Sequence, residues 1–428
     1  MTNGHYDRCL SSMYGLRRFG IKLGLDTIEA ILAALGHPQQ NVPAIHVAGT
    51  NGKGSVVALL AAILRQAGYR VGHYTSPHLE RFNERICIDA VPIDDREVVA
   101  AWEKIQAMDH LEREPTFFEA TTAMALYEFS RRKVDWAIME TGMGGRLDAT
   151  NVLQPALSVI TNISLEHREY LGHTIAAIAG EKAGIIKPKT PVVSGVTQKS
   201  ARQVVTQKAA SQQAPLFQRG RNFRCIRQGG GTFTYHGIDG ALKHLTIGLS
   251  GTHQVDNAAL VLAACEILNR SGAAVISETA IRAGLAAARW PGRLEIVSQA
   301  PCVILDGAHN LTAARVLARH LAENYADRFI TLVIGILDDK PCDAILKDLI
   351  GPCQRVVITQ PSIDRAIPAK DLAERAKPFS SAIEIVPRVK DAVGHALNSS
   401  GPTDVICIAG SLYVVGEAKT ALRKLGIG

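Results

Sequence analysis

Short apolar runs, each ending at glycine or small polar residues, recur through the first half of the chain. Residues 43–48 (PAIHVA), 70–74 (RVGHY), 134–140 (VDWAIME), 156–162 (ALSVITN) and 191–195 (PVVSG) have the length and apolarity of buried strands. SVVALLAAILRQA at 55–67 is mostly apolar and long enough for a helix. Strand, turn and helix in that order form the unit of a parallel α/β sheet. The ligand crevice of such a sheet lies at the carboxyl ends of its strands, so the turns TSP, TGMGG and ISLEH are expected to converge with the glycine-rich turn after residue 48. Residues 218–250 break this rhythm, and Gly229-Gly230-Gly231 with short alternating runs predicts a small antiparallel insertion. The alanine-rich stretch 254–289 predicts helix. After Trp290-Pro291-Gly292-Arg293 the βα rhythm restarts with CVILD (302–306), FITLVIG (329–335), RVVIT (355–359), AIEIV (382–386) and DVICIAG (404–410). The expected architecture is two α/β domains, 1–293 and a smaller Rossmann-like 294–428, without internal repeats.

Composition changes this picture little. Of 428 residues, 47% are hydrophobic and 20% charged, enough apolar material for sizeable cores. No apolar run is long enough to span a bilayer, and MTNGHYDRCLSSMYG lacks the apolar stretch of a secretory leader, so a cytoplasmic protein is expected. The eight cysteines include no CxxC pair, which reads as free thiols in a reducing compartment. The net charge of +7 is spread in short runs, which suits attraction of small anions to a solvated surface. Neither a nucleic-acid nor a membrane partner is expected, and a monomer is the simplest assembly.

Ala48-Gly49-Thr50-Asn51-Gly52-Lys53-Gly54-Ser55 lies between a predicted strand and a predicted helix. Glycines let backbone amides turn toward an anion, the helix N-terminus adds partial positive charge, and Lys53 adds a full one. Ser55 can place a hydroxyl on Mg²⁺. The loop departs from the GxxxxGK[ST] pattern by a glycine between lysine and serine and by closer glycine spacing. It marks the first domain as a P-loop-type ATPase. Glu140 ends an apolar strand beside a glycine-rich turn, where packing explains a carboxylate poorly.

TNGKGS, TSPHLERFNERI, METGMGGRLDATN, SLEHREYLGHT, EKAGIIK and DGAHN occur in that order, and the set resembles the folylpolyglutamate synthase/dihydrofolate synthase family of the Mur ligase superfamily. The resemblance runs from about residue 14 to about residue 416. It implies an ATP-binding first domain that also holds the folate, and a second domain that binds glutamate. ATP would phosphorylate the carboxylate of dihydropteroate or of a folate, and the glutamate amine would displace phosphate.

The resemblance also assigns roles. Thr50, Asn51, Gly52, Lys53, Gly54 and Ser55 would hold the ATP phosphates, Asn257 the adenine, and Arg293 and Asp306 further parts of ATP. Ser55, Ser76, Glu140 and His167 would ligate two Mg²⁺ ions, with K⁺ a further candidate cofactor. Lys182 matches the lysine that the superfamily carbamylates, with Lys187 as its rival. Lys182, His167, Asp306 and His309 form the expected catalytic set. Leu23, Gly24, Leu25, Phe118, Glu119, Arg146 and Asp148 would line the folate site, and Ser411 and Tyr413 the glutamate pocket. Two other readings stay open: a peptidoglycan-precursor Mur ligase, and a non-catalytic nucleotide-dependent binding protein.

Overall fold

The computed structural model describes residues 3–16, 20, 22, 24–109 and 111–427. They form two compact units: residues 1–78, 82–248 and 254–289 make the first, and 79–81, 249–253 and 290–428 the second. Arg293, placed in the first domain by the sequence reading, lies in the second unit.

The first unit is built on an eight-stranded sheet. Its strands are β1 (Ala44–Ala48), β2 (Val71–Tyr74), β3 (Ile86–Ile88), β4 (Val91–Pro92), β5 (Trp136–Glu140), β6 (Leu157–Ile160), β7 (Val192–Ser194) and β8 (Leu216–Gln218). Their spatial order is β4-β3-β2-β5-β1-β6-β7-β8. From β2 to β8 every pairing is parallel, and β1, β2, β5, β6 and β7 are buried throughout, as their apolar runs predict. One edge differs from the expected parallel sheet: β3 and β4 pair antiparallel through a tight turn in which Asp89 and Ala90 both have positive φ. That geometry suits the twist of a two-residue hairpin, although an Asp-Ala pair lacks the glycine that usually announces it. Helices Asp26–Ala34, Asp95–Gln106 and Phe117–Arg131 close one core on one side of the sheet, and helices Ile175–Ala183 and Lys199–Ser211 close another.

The predicted insertion is a three-stranded antiparallel sheet of β9 (Arg224–Arg227), β10 (Phe233–His236) and β11 (Ala241–Leu245). Glu266 anchors it, accepting from Tyr235 Oη at 2.6 Å and Ile238 N at 3.0 Å. Glu266 belongs to helix His253–Arg270. The alanine-rich stretch is helical as expected and comprises two helices, the second, Glu278–Ala287, capped by Ser277.

The second unit has a six-stranded sheet of β12 (Glu295–Gln299), β13 (Cys302–Leu305), β14 (Ile330–Ile334), β15 (Arg355–Gln360), β16 (Ile383–Arg388) and β17 (Val405–Ala409), ordered β12-β13-β17-β14-β15-β16. β12 is antiparallel to β13 and absent from the sequence forecast; the other pairings are parallel. All eight cysteines are free thiols. Among the described residues, no helix is long and apolar enough to cross a membrane.

Candidate active site

β1 runs straight into the glycine loop, which ends at helix Lys53–Gln66. Gly49 and Gly52 take φ values of +152° and +84°. The loop is pressed against the exit of β6: a Cβ on Gly49 would fall 1.8 Å from Thr161 Oγ1. Thr50 N donates to Asn162 O at 2.8 Å and Asn51 N to Asn162 Oδ1 at 3.0 Å. Asn51 O accepts from Thr161 Oγ1 (2.7 Å) and Asn162 Nδ2 (2.8 Å), and Thr50 Oγ1 accepts from Ser164 N (3.0 Å). These bonds brace the loop against the exit of β6. The sequence reading used ALSVITN only as a strand and missed that its Thr161 and Asn162 brace the loop.

Two lysines converge on this loop. Lys53 Nζ donates to Gly49 O (3.2 Å) and Thr50 O (3.3 Å), and lies 3.8 Å from Glu140 Oε1. Lys182, 4% exposed in the last turn of helix Ile175–Ala183, donates from Nζ to the same Gly49 carbonyl at 2.9 Å. Burial above all, then the Lys53 charge, pulls the Lys182 amine down to about 7, against the opposing pull of Glu166 and Asp148. A large fraction is therefore neutral and nucleophilic at physiological pH. Lys187 turns elsewhere, donating to Asn151 O at 2.8 Å, which separates the two rivals.

Glu140, 4% exposed at the end of β5, accepts from Ser76 N at 3.3 Å. Ser55 is buried in the first turn after the loop. His167 is exposed and takes a left-handed φ of +51° in the segment that follows β6, the neighbour of β1. Among the described residues, no three His, Cys, Asp or Glu side chains are grouped to hold a metal by themselves. One carboxylate with hydroxyls is nonetheless the donor set Mg²⁺ takes when phosphate oxygens and water complete its shell, so Glu140, Ser55 and Ser76 fit that ion.

Asn257 does not cap its helix, which begins at His253. It lies in the second turn, donates to Gln254 Oε1 at 2.8 Å, and rests on the glycine loop: a Cβ on Gly52 would meet its Oδ1 at 2.6 Å.

The folate candidates divide into surface and support. Phe118 is half-buried, and its ring covers Gly142, where a Cβ would come within 2.5 Å of Cζ. Glu119 is engaged inside the fold, accepting from Arg113 at 2.9 and 2.7 Å and from Thr116 N at 2.7 Å in a capping box. Asp148 is buried likewise, accepting from Met143 N (2.8 Å), from Thr150 N (3.1 Å) and from the Thr150 hydroxyl. Burial pushes its pKa up and these hydrogen bonds oppose the shift. Arg146 is exposed and paired with Glu181 at 2.9 Å. Gly24 and Leu25 lead into helix Asp26–Ala34, and Leu23 lies outside the described residues.

Phe118 keeps its place only while residue 142 lacks a side chain. On the expectation from the resemblance that the Phe118 ring lines the acid site, Gly142→Ala should raise KM for the acid about tenfold and leave KM for ATP within twofold. Steady-state kinetics on both substrates check this, and an unchanged acid KM would show that the ring position is irrelevant.

In the second unit, Asp306 follows β13 and accepts from Leu294 N and Ala308 N, both at 2.8 Å. Burial pushes its pKa up, opposed chiefly by Arg293. The Gly307 carbonyl accepts from Arg293 Nη1 at 3.1 Å and from His309 Nδ1 at 2.7 Å. A carbonyl only accepts, so Nδ1 carries the proton, and in the neutral ring Nε2 is the basic nitrogen. Ser411 follows β17, the neighbour of β13, and caps helix Leu412–Lys424 by accepting from Val414 N at 3.1 Å; Tyr413 lies in that helix's first turn. β14 adjoins β17, and its exit carries Lys340, 9% exposed and 3.1 Å from Asp339.

Comparison with known proteins agrees with this geometry. Residues 47–265 match the Mur ligase middle domain, and 292–412 the Mur ligase glutamate ligase domain. The chain is 39% identical to the dihydrofolate synthase/folylpolyglutamate synthase of Bacillus subtilis, covering 98% of this chain and 99% of that one. It is 32% identical to the enzyme of that name from Escherichia coli, over 95% and 93% of the two chains. The structure of E. coli FolC in complex with DHPP and ADP superposes with a TM-score of 0.90, at 30% identity and 98% coverage of both chains. The Yersinia pestis bifunctional enzyme complexed with AMPPNP and Mn ion superposes at 0.89, with 32% identity and 99% coverage of both. The Mur ligase reading thus holds at the level of the superfamily, and within it this chain belongs to the dihydrofolate synthase/folylpolyglutamate synthase family.

Proposed function

We propose that this chain ligates L-glutamate to dihydropteroate and to the terminal glutamate of reduced folates, driven by ATP. The observation that supports this most directly is the meeting of Lys53 and buried Lys182 on the Gly49 carbonyl, beside Glu140. Phosphoryl transfer needs positive charge and hard oxygen ligands around crowded anionic oxygens, and this cluster supplies both. A carboxylate oxygen of the acid attacks the γ-phosphorus and ADP leaves. The glutamate amine then attacks the acyl phosphate carbon, and the tetrahedral adduct expels phosphate.

Each residue has a part in this reading. The loop amides, Lys53 and Ser55 hold the triphosphate, and Asn257 the adenine. Mg²⁺, as two ions, would be held through Ser55, Ser76, Glu140 and His167 and would supply charge neutralisation, with K⁺ as an auxiliary cation. Neutral Lys182 adds to CO₂, forming an N–C bond as one C=O π bond opens and a proton is released, so a neutral amine becomes a carboxylate-like anion. Phe118, with Gly24, Leu25, Arg146 and the Asp148 turn, receives the pterin. Asp306 and Arg293 orient phosphate groups, His309 Nε2 accepts a proton from the glutamate nitrogen, and Ser411, Tyr413 and Lys340 receive the glutamate carboxylates. The protein works as a cytoplasmic monomer on small molecules.

The test is ADP release, with product masses, on a panel of dihydropteroate, tetrahydrofolate and UDP-MurNAc peptides, with and without glutamate. Turnover with both pteridines and none with the UDP-sugar is expected. The reverse pattern overturns the reading, and turnover with one pteridine alone overturns bifunctionality.

A further inference from the structure

β1 is a central strand, and its neighbours Ile45 and Val47 are wholly buried apolar side chains. His46 between them is equally buried, a costly choice unless its hydrogen bonds serve a purpose. Its Nε2 lies 2.8 Å from Thr150 Oγ1. The Thr150 hydroxyl proton is already committed to the Asp148 carboxylate, so Thr150 Oγ1 must accept from His46, and Nε2 carries the ring proton. Burial above all, with the Lys187 charge, pushes the imidazole down to about 3, so the ring has only that one N–H. Nδ1 is then a bare lone pair, and it has no partner.

The chain of donors continues past Asp148. Its carboxylate accepts from Met143 N at 2.8 Å, next to Gly142. Those two residues form the turn that follows Glu140 and seats Phe118. From the other side, Lys187 Nζ holds the Asn151 carbonyl of the same 149–152 turn at 2.8 Å. The strand that ends in the phosphate loop is thereby tied to the turn under Phe118 through His46 and, 104 positions further along the chain, Thr150 with its neighbour Asp148.

We propose that His46 is a positioning residue for the acid substrate: by donating to Thr150 it orients the Thr150 hydroxyl onto Asp148, and Asp148 sets the 142–143 turn under Phe118. This rests on the functional reading above. The hydrogen bonds of the relay are separate from the Thr50–Asn162 bonds that brace the phosphate loop. Its loss therefore shows in the acid and not in the nucleotide.

The experiment compares the intact protein with Thr150→Val, His46→Phe and His46→Gln, measuring melting temperature and KM for dihydropteroate and ATP separately. Thr150→Val keeps the side-chain shape and removes both hydrogen bonds of the relay. It is expected to raise the dihydropteroate KM about tenfold with KM for ATP within twofold. His46→Phe is expected to match it, and His46→Gln, which restores a donor, to recover most of the loss. Equal changes in both KM values, or an unchanged dihydropteroate KM in folded Thr150→Val, overturn the relay. If His46→Phe fails to fold, Thr150→Val and His46→Gln still decide. An unmodified protein with no dihydropteroate-dependent ATP turnover refutes the functional reading, and the relay's role falls with it.

Discussion

Lys182→Met is expected to cut acid- and glutamate-dependent ATP turnover by about 10³-fold and, at pH 6 in CO₂-depleted buffer, to stabilise the fold. The two effects share one cause. The amine sits almost wholly buried against the Gly49 carbonyl, and burial with the Lys53 charge lowers its pKa to about 7. Unfolded, it returns to the ordinary lysine value near 10.5. Between those limits the unfolded chain binds the extra proton, so stability rises with pH across the window. The penalty is full below about 7 and gone above about 10.5. Methionine removes it, worth about 1–4 kcal/mol at pH 6, less the lost hydrogen bond. Melting curves should therefore show a gain at pH 6 that shrinks toward pH 10. Activity of the unmodified protein runs the same way for a different reason. Only the neutral amine adds CO₂, so turnover should decline as pH falls below about 7 and recover on adding bicarbonate. Undiminished turnover in a well-folded Lys182→Met would remove the carbamate from the mechanism.

The parts of this site that could be read in the sequence are those whose signal is local. Apolar runs with small polar residues at one end placed β1, β2, β5 and β6, and the turns after them lie at one edge of the sheet as that pattern requires. What stayed hidden depends on partners distant in the chain. Glu119 and Asp148 read as folate-site residues in their motifs, yet both spend their oxygens on backbone and neighbouring side chains. Thr161 and Asn162 look like a strand end until the glycine loop is seen against them. Asn257 has the composition of an N-cap, and only the helix start at His253 moves it inside. The antiparallel edges β3–β4 and β12 escaped because strands of three, two and five residues are too short, or in β12 too polar, to stand out as apolar runs. His46 read as one letter of an apolar strand: its polar ring is the one local signal, and its partner Thr150 lies 104 positions away.

Glu140→Gln isolates the charge of the proposed metal ligand from its shape. The amide has the same size and keeps an oxygen for Ser76 N, now 3.3 Å from the carboxylate. The side chain is 4% exposed and 3.8 Å from Lys53 Nζ, where a pair of unit charges interacts by about 4 kcal/mol at an effective dielectric constant near 20. Removing the negative charge leaves Lys53 with greater net attraction for phosphate, so metal-free ADP should bind as well as before or more tightly. Mg²⁺, which loses its one charged ligand in the phosphate-loop set, should need about 10- to 100-fold higher concentration for half-maximal turnover. At saturating Mg²⁺ a deficit of about 10²-fold in kcat should persist, because the missing charge also positioned the ion against the transferring phosphoryl group. A Mg²⁺ titration of ADP release, paired with ADP binding in a chelating buffer, separates these effects. An unchanged Mg²⁺ half-saturation together with weakened metal-free ADP binding would place Glu140 with Lys53 as a structural ion pair and leave the ion to other ligands.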